Sequence, residues 1–111
     1  MAQEYILLNK KDEKSIVALS KGVFEAITKI SIDEFDGVYL VDRKQAKSIH
    51  CKIKDNKLAL VIDVKFKYGV NVNRVSTRLQ SKVHEAILNM TGLNCHVVNI
   101  RINGFVFDHL K

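Results

Sequence analysis

The sequence predicts an α+β domain of two layers, with two helices packed on one face of a mainly antiparallel sheet of about six strands. Three observations carry this. From Lys57 to Tyr68 the apolar residues Leu58, Leu60, Ile62, Val64, Phe66 and Tyr68 take every second place, the period of a strand with one buried face. Val72, Val75, Leu79, Val83, Ala86, Ile87 and Met90 then recur at steps of three and four, one stripe of a long amphipathic helix. Around these two elements, shorter apolar runs are separated by polar turns. With 111 residues, 47% of them hydrophobic, and no proline, residues 1–111 form a single domain with a proper core and no linker.

Taken in order, Tyr5-Ile6-Leu7-Leu8 and Ile16-Val17-Ala18-Leu19 read as a β-hairpin. The basic loop from Asn9 to Lys14 makes residues 1–14 its partly flexible part. Ser20 suits the N-cap of a first helix, whose expected buried stripe is Val23, Phe24, Ile27, Ile30 and Phe35. Lys21, Glu25 and Lys29 face the other way, at spacings where their charges offset one another. Asp33, Glu34 and Asp36 oppose the helix dipole, so the helix should stop near Ile32 with Gly37 leading the next strand. Gly37 to Val41 is that strand, Asp42 to Lys47 a polar connection. From Ser48 to Lys54, Ile49, Cys51 and Ile53 share one side and His50, Lys52 and Lys54 the other. Asp55-Asn56 is a two-residue hairpin turn without glycine. On the strand that follows, Ala59 and Val61 share the second face with Asp63, Lys65 and Lys67.

The long helix starts with Asn71 as its cap or at Val72 itself, and Gly92 stands where a left-handed residue ends a helix, with Leu93 folding back. In the closing strand Leu93, Cys95 and Val97 alternate, then Val98, Ile100 and Ile102. The phase slips between Val97 and Val98, where a β-bulge is expected. Gln80 lies off the helix stripe, so its truncation should be nearly silent beside that of Leu79.

No run of eighteen apolar residues exists and no secretory signal opens the chain, which makes the cytoplasm the expected compartment and Cys51 and Cys95 reduced thiols. The dipeptides His50-Cys51 and Cys95-His96 each send neighbours to opposite strand faces, so each offers one ligand at most to a shared metal, short of a closed zinc site. Both thiols sit on apolar phases, the acids are scattered, and Tyr68-Gly69-Val70-Asn71 lacks the lysine and second glycine of a phosphate loop. Catalytic, cofactor and metal residues are therefore all expected to be absent.

The net charge of +6 points to an anionic or acidic partner without choosing one. Arg74, Arg78 and Lys82 make a stripe on the long helix, and Lys52, Lys54, Lys65 and Lys67 share a sheet face with Arg101. A solvated charged face is the plain alternative to nucleic-acid contact. Tyr39 and Tyr68 are assigned to the core side or its edge, which removes stacking aromatics, and a GXXG loop of the KH type is absent.

The ordered set Tyr68-Gly69-Val70-Asn71-Val72, Val75, Leu79-Gln80, Val83, Ile87, Met90-Thr91-Gly92-Leu93, Val98-Asn99-Ile100 and Gly104 resembles the alkaline-shock, or envelope-stress-response, family of Gram-positive bacteria. The likeness extends from Leu19 to Val106, with Asn73 where that family often has proline and Gly22 an odd helix residue. The short chain resembles a single-domain member. The resemblance implies a non-enzymatic cytoplasmic protein of envelope homeostasis, peripheral to the membrane through a protein partner. The expectation is a small interaction module that also self-associates into homo-oligomers. Nucleic acid remains the alternative ligand. It carries over no catalytic residues. Gly69 and Gly92 would be turn glycines, and Thr91 would help close the helix end.

Overall fold

The computed structural model describes residues 3–8, 16–41 and 47–107. The expected loop from Asn9 to Lys14 and most of the connection after Val41 lie outside these residues. The elements are β1 (Tyr5–Leu8), β2 (Val17–Ser20), α1 (Lys21–Asp33), β3 (Val38–Leu40), β4 (Ile49–Lys54), β5 (Lys57–Lys67), α2 (Val72–Thr91) and β6 (Val97–Val106). Two helices and six strands make the α+β class foreseen from the sequence.

The sheet is built on β5, its longest strand at 11 residues. β3 and β4 both pair with β5 antiparallel, β3 over Val64 to Phe66 and β4 over Lys57 to Ile62. Because β6 takes the whole opposite edge, β3 and β4 lie end to end along one edge, a single strand interrupted between Val41 and Ser48. The Ser48 hydroxyl donates to the Val41 carbonyl and ties the two ends of the interruption together. β6 runs parallel to β5, as a strand reached through a crossover helix does. The hairpin β1–β2 forms a separate two-stranded sheet, joined to the edge of β4 by one bridge from Gln3 to Ile53.

Local chemistry places most of these boundaries. Asp55 and Asn56 hold φ of 53° and 58°, the left-handed pair that a tight turn between twisted strands requires. Asn56 is also the clasp of the hairpin. Its Oδ1 accepts from Leu7 N at 2.9 Å, and its Nδ2 donates to Leu7 O at 3.0 Å. In α2, Asn71 Oδ1 accepts from Arg74 N at 3.0 Å, and Gly92 at φ 78° donates its N–H to Leu88 O. Thr91 Oγ1 accepts from Leu93 N, which closes the same end.

The core lies between β5 and the helices: Leu58, Leu60, Ile62, Val64 and Phe66 are fully buried, with Phe24, Ile32, Leu79, Val83 and Ile87 above them. Three expectations need correction. The buried face of α1 is Phe24, Ile27, Thr28, Ser31 and Ile32, while Val23 is exposed and Ile30 is 56% exposed. Thr28 and Ser31 can enter the core because their hydroxyls donate back to Phe24 O and Ile27 O, at 2.7 and 2.9 Å. On α2 the stripe is buried only in its middle. Met90 is 69% exposed, and Leu93 and Cys95 close the core at that end instead. Finally, Leu93 to Cys95 precede the last strand, and the register shift falls at Asn103, between the pairs Val64–Ile102 and Lys65–Gly104.

Candidate functional site

The helices cover one face of the sheet and leave the other open. Asp63 organises that open face. Its backbone marks the break in the edge strand, since Asp63 O accepts from Val41 N and Asp63 N donates to Ser48 O. Its carboxylate reaches both neighbouring strands. Arg101 on β6 donates from Nε to Oδ1 at 2.6 Å and from its terminal nitrogen to Oδ2 at 3.0 Å, while His50 Nε2 on β4 lies 3.1 Å from Oδ2. The bidentate guanidinium holds the Asp63 carboxyl below the usual carboxylate range, helped by the His50 contact and opposed by partial burial. The result is a charge-assisted bridge across three strands.

Around this bridge the expected lysines are in place. Lys52 and Lys54 are exposed on β4, Lys65 and Lys67 on β5, with half-buried Ala59 and Val61 between. The basic helix residues are elsewhere, on the layer that covers the other face. Arg74 and Arg78 are exposed there, but Lys82 pairs with Glu34 at 3.5 Å across the two helices. The seven cations singled out in the sequence therefore form two groups rather than one site. Asp63 had a signal of its own: it is the only acid in β5 and stands among lysines, so it needed a partner. Which partner it took depended on a strand about forty residues away.

The aromatic assignment is corrected. Tyr39 is 45% exposed and pairs across β3 and β5 with Lys65 on the open face. Tyr68 is 63% exposed and forms a cluster with Phe105 and Phe107, ring centroids 6.1 and 4.7 Å away. β5 ends at Lys67, so the alternation that buries Phe66 has no cover left for Tyr68.

The remaining motif residues are structural in geometry. Gly69 and Gly92 hold positive φ, and Gly104 lies opposite Lys65 just past the bulge. Within each Cys-His dipeptide the thiol points inward and the imidazole outward. Burial pushes the Cys51 thiol up to about 11 and raises that of Cys95, so both are protonated near neutrality. Cys51 lies on an open cleft of about 760 Å³ between α1 and β4, lined also by the ion pairs Glu4–Lys21 and Glu25–Lys47. Among the described residues no trio of histidine, cysteine and acid side chains is placed to hold a metal ion. No helix among them is long and apolar enough to cross a membrane.

A model of the alkaline-shock protein 23 family, described as having a cell envelope-related function, matches residues 9–107. The chain is 27% identical over 105 residues to a Bacillus subtilis protein titled uncharacterized protein YqhY, covering 83% of this chain and 78% of the relative. It is 28% identical over 103 residues to the Streptococcus pyogenes protein titled uncharacterized protein Spy1535, covering 83% and 80%. No solved structure matches significantly.

Proposed function

The chain belongs to the alkaline-shock protein 23 family, of cell envelope-related function, and from that premise we propose that it is a non-enzymatic interaction module. In this reading it acts in envelope homeostasis from the cytoplasmic side, by self-association and by binding a protein partner near the membrane. The observation that carries it is the open sheet face. Among the described residues five lysines, Lys52, Lys54, Lys57, Lys65 and Lys67, stand there against the single carboxylate of Asp63, which is already bound by Arg101 and His50. Such a surface suits an acidic protein patch, with charge setting specificity and encounter rate more than affinity. Ala59 and Val61 add too little apolar area for an obligate hydrophobic seam.

The exposed Tyr39 beside Lys65 favours a second reading, nucleic-acid binding through this face or through Arg74 and Arg78. One comparison separates the two. Wild type, Lys65→Glu with Lys67→Glu, and Arg74→Glu with Arg78→Glu are used as bait in native lysate with and without nuclease. Each is also titrated with an RNA oligonucleotide by fluorescence anisotropy at two salt concentrations. The expected result is nuclease-resistant, salt-sensitive protein recovery that the sheet variant loses while keeping its fold. Sequence-independent RNA binding at physiological salt, lost only in the helix variant, would sink the protein-interaction reading.

A further inference from the structure

The sheet has two outer edges, and they are protected to different degrees. The edge of β4 carries Lys52 and Lys54, is bridged by Gln3 at Ile53, and is overhung by Glu4, Lys21 and Glu25. These are the usual means of keeping a strand edge from pairing with another chain. β6 forms the second edge. It is ten residues long, Val-Val-Asn-Ile-Arg-Ile-Asn-Gly-Phe-Val, and contains a single charge. That charge, Arg101, is turned inward onto Asp63. Among the described residues no strand lies beyond β6.

We propose that the outer edge of β6 is a self-association surface, and that its occupant is β6 of a second copy, antiparallel across a two-fold axis. This rests on the self-association reading above and assigns it a place. The backbone directions support it. Asp63 and Lys67 turn their peptide groups toward β3 and β4, and Tyr68 N donates to Val106 O of β6, so the even-numbered residues of β5 address β6. In a parallel register the residues opposite them, Val98, Ile100 and Ile102, then turn their own N–H and C=O outward. Val98 shows this directly, because its carbonyl accepts Gln80 Nε2 from α2 at 2.9 Å. Past that contact, Ile100 and Ile102 offer their peptide groups along an open rail.

Side-chain burial agrees. On the helix-covered face, Leu60, Ile62 and Val64 are fully buried, yet their partners Val98, Ile100 and Ile102 are only half-buried. The helix layer stops short of this edge, and a second sheet with its own helices would complete the cover. Charge selects the same edge. A chain of net charge +6 repels its copy, and the lysines of the open face lie on β4 and β5, whereas β6 has none. An antiparallel pairing with Ile100 of each copy opposite Ile102 of the other is self-complementary and makes about four backbone hydrogen bonds, and it sets the two Arg101 side chains opposite each other, each already paired with its own Asp63.

Sedimentation velocity across a range of protein concentrations reads the association, and residue-resolved amide exchange reads its location. The expected result is a concentration-dependent dimer in which the Ile100 and Ile102 amides slow by on the order of 100-fold while other exposed amides do not change. Ile102→Pro removes one outward N–H at a strand edge, where proline is tolerated, and is expected to give a folded monomer by circular dichroism and sedimentation. A folded Ile102→Pro chain that dimerises like wild type would overturn the assignment. So would a wild-type dimer whose Ile100 and Ile102 amides stay fast, an outcome that leaves self-association standing. A monomer at every concentration overturns the edge and the self-association together. Should Ile102→Pro fail to fold, the exchange measurement on the wild type decides.

Discussion

The two faces of β5 differ in what their burial accomplishes. On one, Leu58, Leu60, Ile62, Val64 and Phe66 are removed from water and hold the helices to the sheet. On the other, Ala59, Val61 and Asp63 are only partly shielded, between exposed lysines. A residue one place along the same strand therefore passes from the stability of the fold to the chemistry of its surface. Apolar burial is non-directional and sums over area, so the first face tolerates no loss. Exposed charges are screened and contribute little to folding, so the second face is free to serve recognition.

Deleting core volume gives the largest contrast. Leu60→Ala, or Leu79→Ala on the helix above, should lower stability by roughly 2–5 kcal/mol in chemical denaturation, as fully buried leucines do. Val61→Ala, on the open face, should cost well under that. Equal losses would show that something covers the open face as completely as the helices cover the other.

A smaller effect tests the join between helix and edge. Gln80 lies off the apolar stripe, where the sequence leads one to expect a nearly silent truncation, yet it is half-buried and donates to Val98 O. Gln80→Ala should cost about 0.5–1.5 kcal/mol, the net value of one hydrogen bond. Ser81→Ala, next to it and exposed, should fall within about 0.5 kcal/mol of wild type. A silent Gln80→Ala would mean that water replaces the amide at the edge of β6.

The smallest effect sharpens the open face itself. Asp63 has its folded pKa lowered, first by the Arg101 hydrogen bonds, so its contribution is present above the ordinary carboxylate pKa and is lost as pH falls through the lowered folded value. The difference in stability between wild type and Asp63→Asn should therefore be constant near neutrality and shrink in acid. A difference that does not change down to strongly acidic pH would show that the carboxylate is not linked to folding.

The local elements were legible in the amino-acid order alone. The alternation in β4 and β5, the turn at Asp55-Asn56, the cap at Asn71 and the stop at Gly92 rest on neighbours in the chain, and each stands where its period or turn chemistry puts it. Position along an element sets which side chains share a face, and that is a property of the backbone alone. Tertiary structure decided the rest, because each remaining feature depends on a distant segment. Thr28 and Ser31 are core residues only because α1 lies with that face on the sheet, where their hydroxyls bond back to the helix. Tyr68 is exposed because the covering layer ends beside it, and the bulge falls at Asn103 because β6 must follow β5. Asp63 became the centre of the open face when strands remote in sequence brought His50 and Arg101 to its two oxygens. A periodic pattern names the face. What stands across from it is fixed only when the chain closes on itself.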